Sequence, residues 1–207
     1  MSQTIGLAAH GIACQRGGRI LFEDLSFTLA PGEGLLVTGP NGAGKTSLLR
    51  QLAGLLPLAG GSLTLTGAGD DAAIPELCHY VGHLNAVKTS LSVADNLAFW
   101  ADFLGGRPDH LPNALAAFGL RPLADLPAGL LSAGQKRKLA LSRLFAAPRP
   151  IWLLDEPQVS LDAPSLKLLD GAIGAHLAQG GIAVVASHTP LKTKFAHKLA
   201  LGKKRAA

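Results

Sequence analysis

The feature that most constrains this chain is the run Gly39-Pro40-Asn41-Gly42-Ala43-Gly44-Lys45-Thr46, which fits G-x-x-x-x-G-K-[ST]. Before it lies the strand-like stretch Gly34 to Thr38, entered through the turn pair Pro31-Gly32. After it a helix is predicted from Lys45 to about Ala53, ended by Gly54. The chemistry needs each part in its place. Glycines let backbone N–H groups close around phosphate oxygens, and the N-terminus of the following helix adds a favourable dipole. Lys45 would neutralise β- and γ-phosphates, and the Thr46 hydroxyl would ligate Mg²⁺. At average residue usage the pattern arises by chance in roughly one chain in a hundred of this length. A strand–loop–helix setting makes chance rarer still.

The rest of the chain supports an α/β class. Residues 4–37 read as strands and turns, with Ile5 to Ile12 and Leu25 to Leu29 as strands about a Gly17-Gly18 turn. Gly60-Gly61 is read as a turn into a strand over Ser62 to Leu65. Helices are predicted from about Ser132 and near 164–178, strands at Ile151 to Leu154 and Ile182 to Ala186, then a short C-terminal element. Strands alternating with helices imply a mostly parallel sheet. The stretch 84–140 is helix-rich and breaks that alternation, with loop breaks at Gly105-Gly106 and Pro122. It is expected to be a helical subdomain inserted into a core of about 1–83 and 141–207. At 207 residues the whole reads as one domain.

Two further segments carry chemistry. Ile151-Trp152-Leu153-Leu154-Asp155-Glu156 is an apolar strand ending in two carboxylates. Beside a phosphate loop, Asp155 would reach the Mg²⁺ shell and Glu156 would face the attacking water. Leu131-Ser132-Ala133-Gly134-Gln135 opens a helix with Ser132 as N-cap and Lys136, Arg137 and Lys138 in or near its first turn. Cations there oppose the helix dipole. An anion docked at that end would account for them; a plainly capped helix is the alternative.

Composition removes other classes. Hydrophobic residues at 48% and charged residues at 16% exclude intrinsic disorder. Aromatics at 5% argue against a stacking platform for single-stranded nucleic acid. The net charge of +5 is scattered apart from Lys136-Arg137-Lys138 and Lys203-Lys204-Arg205, the latter a solvated tail or, alternatively, a lipid-surface contact. Cys14 and Cys78 form neither C-x-x-C nor C-x-x-C-H and read as buried thiols. No apolar run approaches the ~18 residues of a membrane span. Gln3 and Thr4 precede any apolar run, so no secretion signal is read and the chain is expected to stay in the cytosol.

Taken together, the motifs resemble the ATP-binding-cassette ATPases. The phosphate loop comes first, then LSAGQ at 131–135 as a variant of the LSGGQ signature. The strand ending in Asp155-Glu156, the turn Ser160-Leu161-Asp162, and a strand followed by Ser187-His188 complete the set, in order along essentially the whole chain. The resemblance implies a P-loop NTPase cassette core with a β-rich N-terminal part and an inserted helical subdomain. It also implies a dimer in which two cassettes close head to tail on two ATP molecules. Ser132 and Gly134 of one copy, with Asp162, would then meet the nucleotide held by Lys45 of the other. His188 would contact the γ-phosphate and hold Glu156 and water.

Two departures stand out. Counting back from Ser26, Arg16 occupies the position of an adenine-stacking aromatic, a role a guanidinium can also serve. His83 occupies the place of the glutamine that serves the metal and its water in the family. Gly82-His83, then Val87-Lys88-Thr89, with LSAGQ and a chain barely over 200 residues, resembles the ATPase subunits of cytochrome c maturation systems. That likeness implies an ATP hydrolase of the haem-transporting class, acting with Mg²⁺ in haem export or release of a haem-loaded chaperone. It would work peripherally at the cytoplasmic face of the inner membrane. Its partners would be a separate CcmB-like permease and other cytochrome c maturation proteins, not nucleic acid. Leu84, Val87, Leu91, Leu97, Phe99 and Trp100 are the expected docking surface for that permease, with some of them forming the subdomain's own core. The alternatives are a cassette serving another transported substrate and a soluble, permease-free cassette ATPase.

Overall fold

The computed structural model describes residues 5–69 and 72–202; Gln3, Thr4, Lys203, Lys204 and Arg205 lie outside the described residues. In chain order the elements are β1 (Gly6–Arg16), β2 (Arg19–Leu29), β3 (Gly34–Thr38), α1 (Lys45–Leu52) and β4 (Gly60–Thr66). Then come α2 (Ile74–Leu77), β5 (Cys78–Val81), α3 (Val93–Phe103), α4 (Leu111–Ala117) and α5 (Ala133–Ala146). The chain continues through β6 (Ile151–Asp155), α6 (Ala163–Ala178), β7 (Ile182–Ala186) and β8 (His197–Ala200). They form two compact units. The first takes the chain through Tyr80, Pro150–Glu156 and everything from Ile173 onward; the second takes Val81–Arg149 and Pro157–Ala172.

The first unit holds two sheets, ordered β5-β6-β7-β3-β8 and β2-β1-β4. In the larger sheet β3 pairs parallel with β7 and β8, and β6 pairs parallel with β7. Strands β6 and β7 are buried at every position, which is why they read as unbroken apolar runs and not as alternation. The register sets Val37 and Asp155 each opposite Ala186. The loops after β3, β6 and β7 therefore leave the sheet at one level, at its carboxyl edge.

The smaller sheet is antiparallel. Gly17 and Gly18, both at positive φ (53° and 76°), form the two-residue turn that joins β1 to β2. Gly60 and Gly61 are not the turn expected from sequence but the first residues of β4, paired on β1. A side chain at Gly61 would put its Cβ 2.4 Å from the carbonyl oxygens of His10 and Gly11, so glycine is there for close backbone approach. One apolar core, including Leu7, Ile12, Val37, Leu48, Leu153 and Val184, packs α1 with strands of both sheets.

The second unit has its own core of Val93, Leu97, Leu115, Leu120 and Leu139. Leu97 is fully buried and Val87 packs against that core, so these two are among the residues that form the subdomain's own core. Leu84 (80% exposed) and Phe99 (57%) do face solvent. Asn96, buried in α3, accepts from the Lys88 N–H and donates to the carbonyls of Lys88, Leu91 and Ser92, clamping the loop ahead of its own helix. The Arg143 guanidinium stacks over the Trp100 ring at 4.4 Å, and burial lowers its pKa to about 10, so it stays charged.

In the first unit the His176 ring stacks on Trp152, 3.9 Å between centroids, and its Nε2 faces the Ile182 carbonyl at 3.2 Å. Burial pushes the pKa of His176 down from 6.5 to about 4, outweighing carbonyl bonds to Ile182 and Pro150 that raise it. Between those two values the unfolded chain takes a proton that the folded chain refuses. Stability contributed by the neutral ring is therefore complete above about pH 6.5 and lost as pH falls toward 4. Discounted for the ring's partial exposure, the loss is on the order of 1–2 kcal/mol. Urea unfolding at pH 7 and pH 4.5 should show a larger drop in midpoint for the parent chain than for His176→Phe; equal drops would reject the assignment.

Candidate active site

Backbone conformation builds the phosphate loop first. Gly39 sits at φ 141°, and a Cβ there would lie 2.4 Å from the Leu201 carbonyl oxygen. Gly44, the N-cap of α1, has φ 100°, and a Cβ there would press on the Phe22 ring at 3.1 Å. Both positions exclude other residues on space and on conformation. No side chain caps α1, and its first turn carries no acidic residue. The N–H groups that begin a helix are thus left for an anion. Lys45 is buried and its Nζ donates to the carbonyls of Gly39 (2.8 Å) and Pro40 (3.2 Å), which draws the ammonium over the loop.

The carboxylates come next. Thr46 Oγ1 donates to Asp155 Oδ2 at 2.8 Å, joining the start of α1 to the buried end of β6. Glu156, one residue later, takes φ 47°, an uncommon conformation for a side-chain-bearing residue, while its N–H donates to the Ala186 carbonyl. Its Oε2 lies 2.9 Å from His188 Nδ1 and 3.4 Å from the His188 backbone N–H. Glu156 is 14% exposed and His188 62%, so the imidazole covers the carboxylate from the solvent side. Ser187 steers this turn: its N–H donates to the Val37 carbonyl, and its Oγ accepts from Thr189 N–H at 3.0 Å.

These residues meet in one cleft of about 240 Å³, lined by Leu21, Asn41, Gly42, Gly44, Lys45, Thr46, Ser47, Asp155 and Glu156. Gly39, Pro40 and Ala43 complete the loop beside it, and His188 joins through Glu156. Leu21 was not singled out from sequence. The turn Gly17-Gly18 was the available signal, because the register Cys14 to Phe22 brings the returning strand back toward Gly44. Arg16 does not line this cleft; it is exposed at the end of β1, paired with Arg19.

The remaining residues singled out from sequence belong to the second unit. Ser132 caps α5 in a reciprocal box: its Oγ accepts from Gln135 N–H, and Gln135 Oε1 accepts from Ser132 N–H. Gly134 has Ser160 against it, the carbonyl oxygen 2.7 Å from where a Cβ would stand. Asp162 Oδ1 accepts from the Ser165 N–H and hydroxyl at the start of α6, and its other oxygen is 3.7 Å from Lys138 Nζ. These bonds hold the Asp162 carboxylate below its usual range, the hydroxyl of Ser165 contributing most. His83 is exposed just after β5.

The cationic triplet is the main surprise. Lys136 donates to the Gly129 carbonyl, Lys138 pairs with Asp162, and Arg137 is buried with its guanidinium on backbone carbonyls. The three are engaged by their own unit, which removes the reason to invoke an anion for them.

Comparison with known proteins agrees with the geometry. The model of the family described as "ABC transporter" matches residues 22–159. A cytochrome c biogenesis ATP-binding export protein CcmA from Rhodopseudomonas palustris is 51% identical over 185 residues, covering 89% of this chain and 92% of that protein. The protein of the same description from Rhodospirillum rubrum is 50% identical over 197 residues, covering 94% and 84%. Among solved structures, an ABC transporter ATP-binding protein from Pyrococcus furiosus superposes with a TM-score of 0.82 at 23% identity, covering 95% of this chain and 97% of that one. At that identity the likeness concerns the fold. The chain belongs to the ABC transporter family and, within it, to the group of the CcmA proteins.

Proposed function

We propose that this chain is the ATP-hydrolysing subunit of an ABC transporter complex in c-type cytochrome biogenesis, coupling hydrolysis to a separate membrane permease in haem export or release of a haem-loaded chaperone. One observation carries the hydrolytic part: Glu156, gripped by His188, lies on the same cleft as Lys45, Thr46 and Asp155. The biological part rests on the 51% and 50% identities to CcmA proteins. The whole chain is read as one cassette domain, with a helical subdomain at about 84–140.

In this reading the loop N–H groups and Lys45 hold the β- and γ-phosphates. The Thr46 hydroxyl and Asp155 carboxylate are hard oxygen donors 2.8 Å apart, a pair that suits Mg²⁺. The ion, when bound, offsets phosphate charge. Glu156 orients the attacking water and accepts its proton, and His188 keeps the carboxylate aimed. Arg16 stacks on the base, and His83 takes the place of the family's glutamine. Ser132 and Gly134, with Asp162, act on the nucleotide of a second copy, so hydrolysis needs a dimer.

No helix among the described residues is long and apolar enough to cross a membrane. In this reading the work on the membrane falls to a CcmB-like partner, with this chain peripheral on the cytoplasmic side of the inner membrane. Leu84 and Phe99, both exposed, with Leu91 and Trp100, both half-buried, are the docking candidates that remain.

Lys45→Ala should weaken ATP binding at least about a hundredfold by calorimetry, since a buried charge-assisted contact to phosphate is lost. Glu156→Gln should bind ATP within about twofold of the parent yet turn over at least a hundredfold more slowly. Light scattering of that variant with ATP and Mg²⁺ should report twice the monomer mass; parent-rate hydrolysis would remove Glu156 from the role.

Ser132→Arg should abolish turnover and leave ATP affinity of the monomer unchanged. An equal fall in both would reject action on a partner's nucleotide. In cells, deletion and Lys45→Ala should each remove c-type cytochromes from haem-stained gels while sparing b-type ones. Normal c-type cytochromes in both strains would leave a transporter for another substrate.

A further inference from the structure

We propose that Arg137 is a positioning residue for hydrolysis, tying segment 82–85 to the backbone that carries Glu156. The inference rests on the ATPase function proposed for the cleft. Arg137 is 3% exposed. Its Nε donates to the Pro157 carbonyl at 3.1 Å, and its Nη1 donates to the Gly82 carbonyl at 2.8 Å and to Asn85 Oδ1 at 3.2 Å. A guanidinium is planar and presents its donors in a fixed fork, so the two segments cannot move independently while both sets of bonds persist.

The backbone on each side of the guanidinium makes the tie stiff. Pro157 is bonded directly to Glu156, and its ring fixes φ. Between the held carbonyl and the Glu156–Pro157 peptide only the ψ of Pro157 is soft. The stretch beyond is strapped to the same helix, Ser160 against Gly134 and Asp162 against Lys138. Segment 82–88 is held just as closely. Trp100 Nε1 donates to the Ala86 carbonyl at 3.2 Å, and Asn96 clamps Lys88 through both its N–H and its carbonyl. A push on 82–85 is therefore passed through one guanidinium to the residue next to Glu156. A change at Glu156 is passed back by the same route.

Trp100 supplies the readout. The chain has two tryptophans, so Trp152→Phe leaves Trp100 as the only one, hydrogen-bonded to the tied segment. In that background saturating ATP should shift Trp100 emission. Adding Arg137→Lys should keep ATP affinity within about twofold, remove most of the emission shift, and lower kcat about tenfold with KM unchanged. Asn85→Ala, which deletes one bond of the tie, should lose part of the shift and serves as the deciding variant if Arg137→Lys fails to fold by circular dichroism. An emission shift and kcat that survive in these variants would overturn the proposal, as would ATP binding with no shift in the Trp152→Phe chain. Failure of that chain to bind ATP would instead overturn the ATPase reading, and this proposal with it.

Discussion

The hydrogen bond from Thr46 to Asp155 depends on the parallel register of the central sheet, and most of the site depends on that register too. Residues more than a hundred positions apart can meet at hydrogen-bond distance because β3 and β6 flank β7 and end at one level. A shift of one residue in either pairing would turn every side chain of the shifted strand to the other face of the sheet. It would also withdraw Asp155 from Thr46. The full burial of β6 and β7 guards against this, since every position has a packed neighbour that a shift would displace.

Much of this was legible in the residues. The phosphate loop is legible because its chemistry demands glycine and lysine at set spacing, and the helix at Lys45–Leu52 with its end at Gly54 obeys ordinary stop signals. Strands Ile151–Asp155 and Ile182–Ala186 announce themselves as short apolar runs. The features that stayed hidden depend on partners distant in sequence. Strand β5, four residues long, has no period to detect. Gly60-Gly61 looks like a turn because nothing local reveals the β1 carbonyls that exclude a side chain. Leu97 and Phe99 are two positions apart on one helix, yet one is buried and one exposed, which hydropathy alone does not separate.

The site divides along the same line. Asp155 and Glu156 end a strand beside the loop, so their meeting with Lys45 and Thr46 was inferable from topology. The cations at 136–138 show the opposite case. Read along the chain they oppose a helix dipole and suggest a ligand; in space one is buried on carbonyls, one pairs with Asp162, and one bonds Gly129. All three make contacts inside their own unit, and only the fold reveals the carbonyls that Arg137 satisfies.

The approach of Leu201 to Gly39 has a consequence for the order in which the molecule can mature. The Leu201 N–H donates to the Thr38 carbonyl, its own carbonyl fills the space a Cβ at Gly39 would need, and Ala43 and Pro40 fill the space a Cβ at Gly202 would need. The floor of the phosphate loop is thus made from residues translated long after the loop itself. A nascent chain can form α1 and pair β1 with β2 early, but it cannot seat the loop on its final support until Gly202 has emerged from the ribosome. Competence to hold a nucleotide arrives late in synthesis, and a truncated product lacking β8 would carry the whole motif on an unsupported loop.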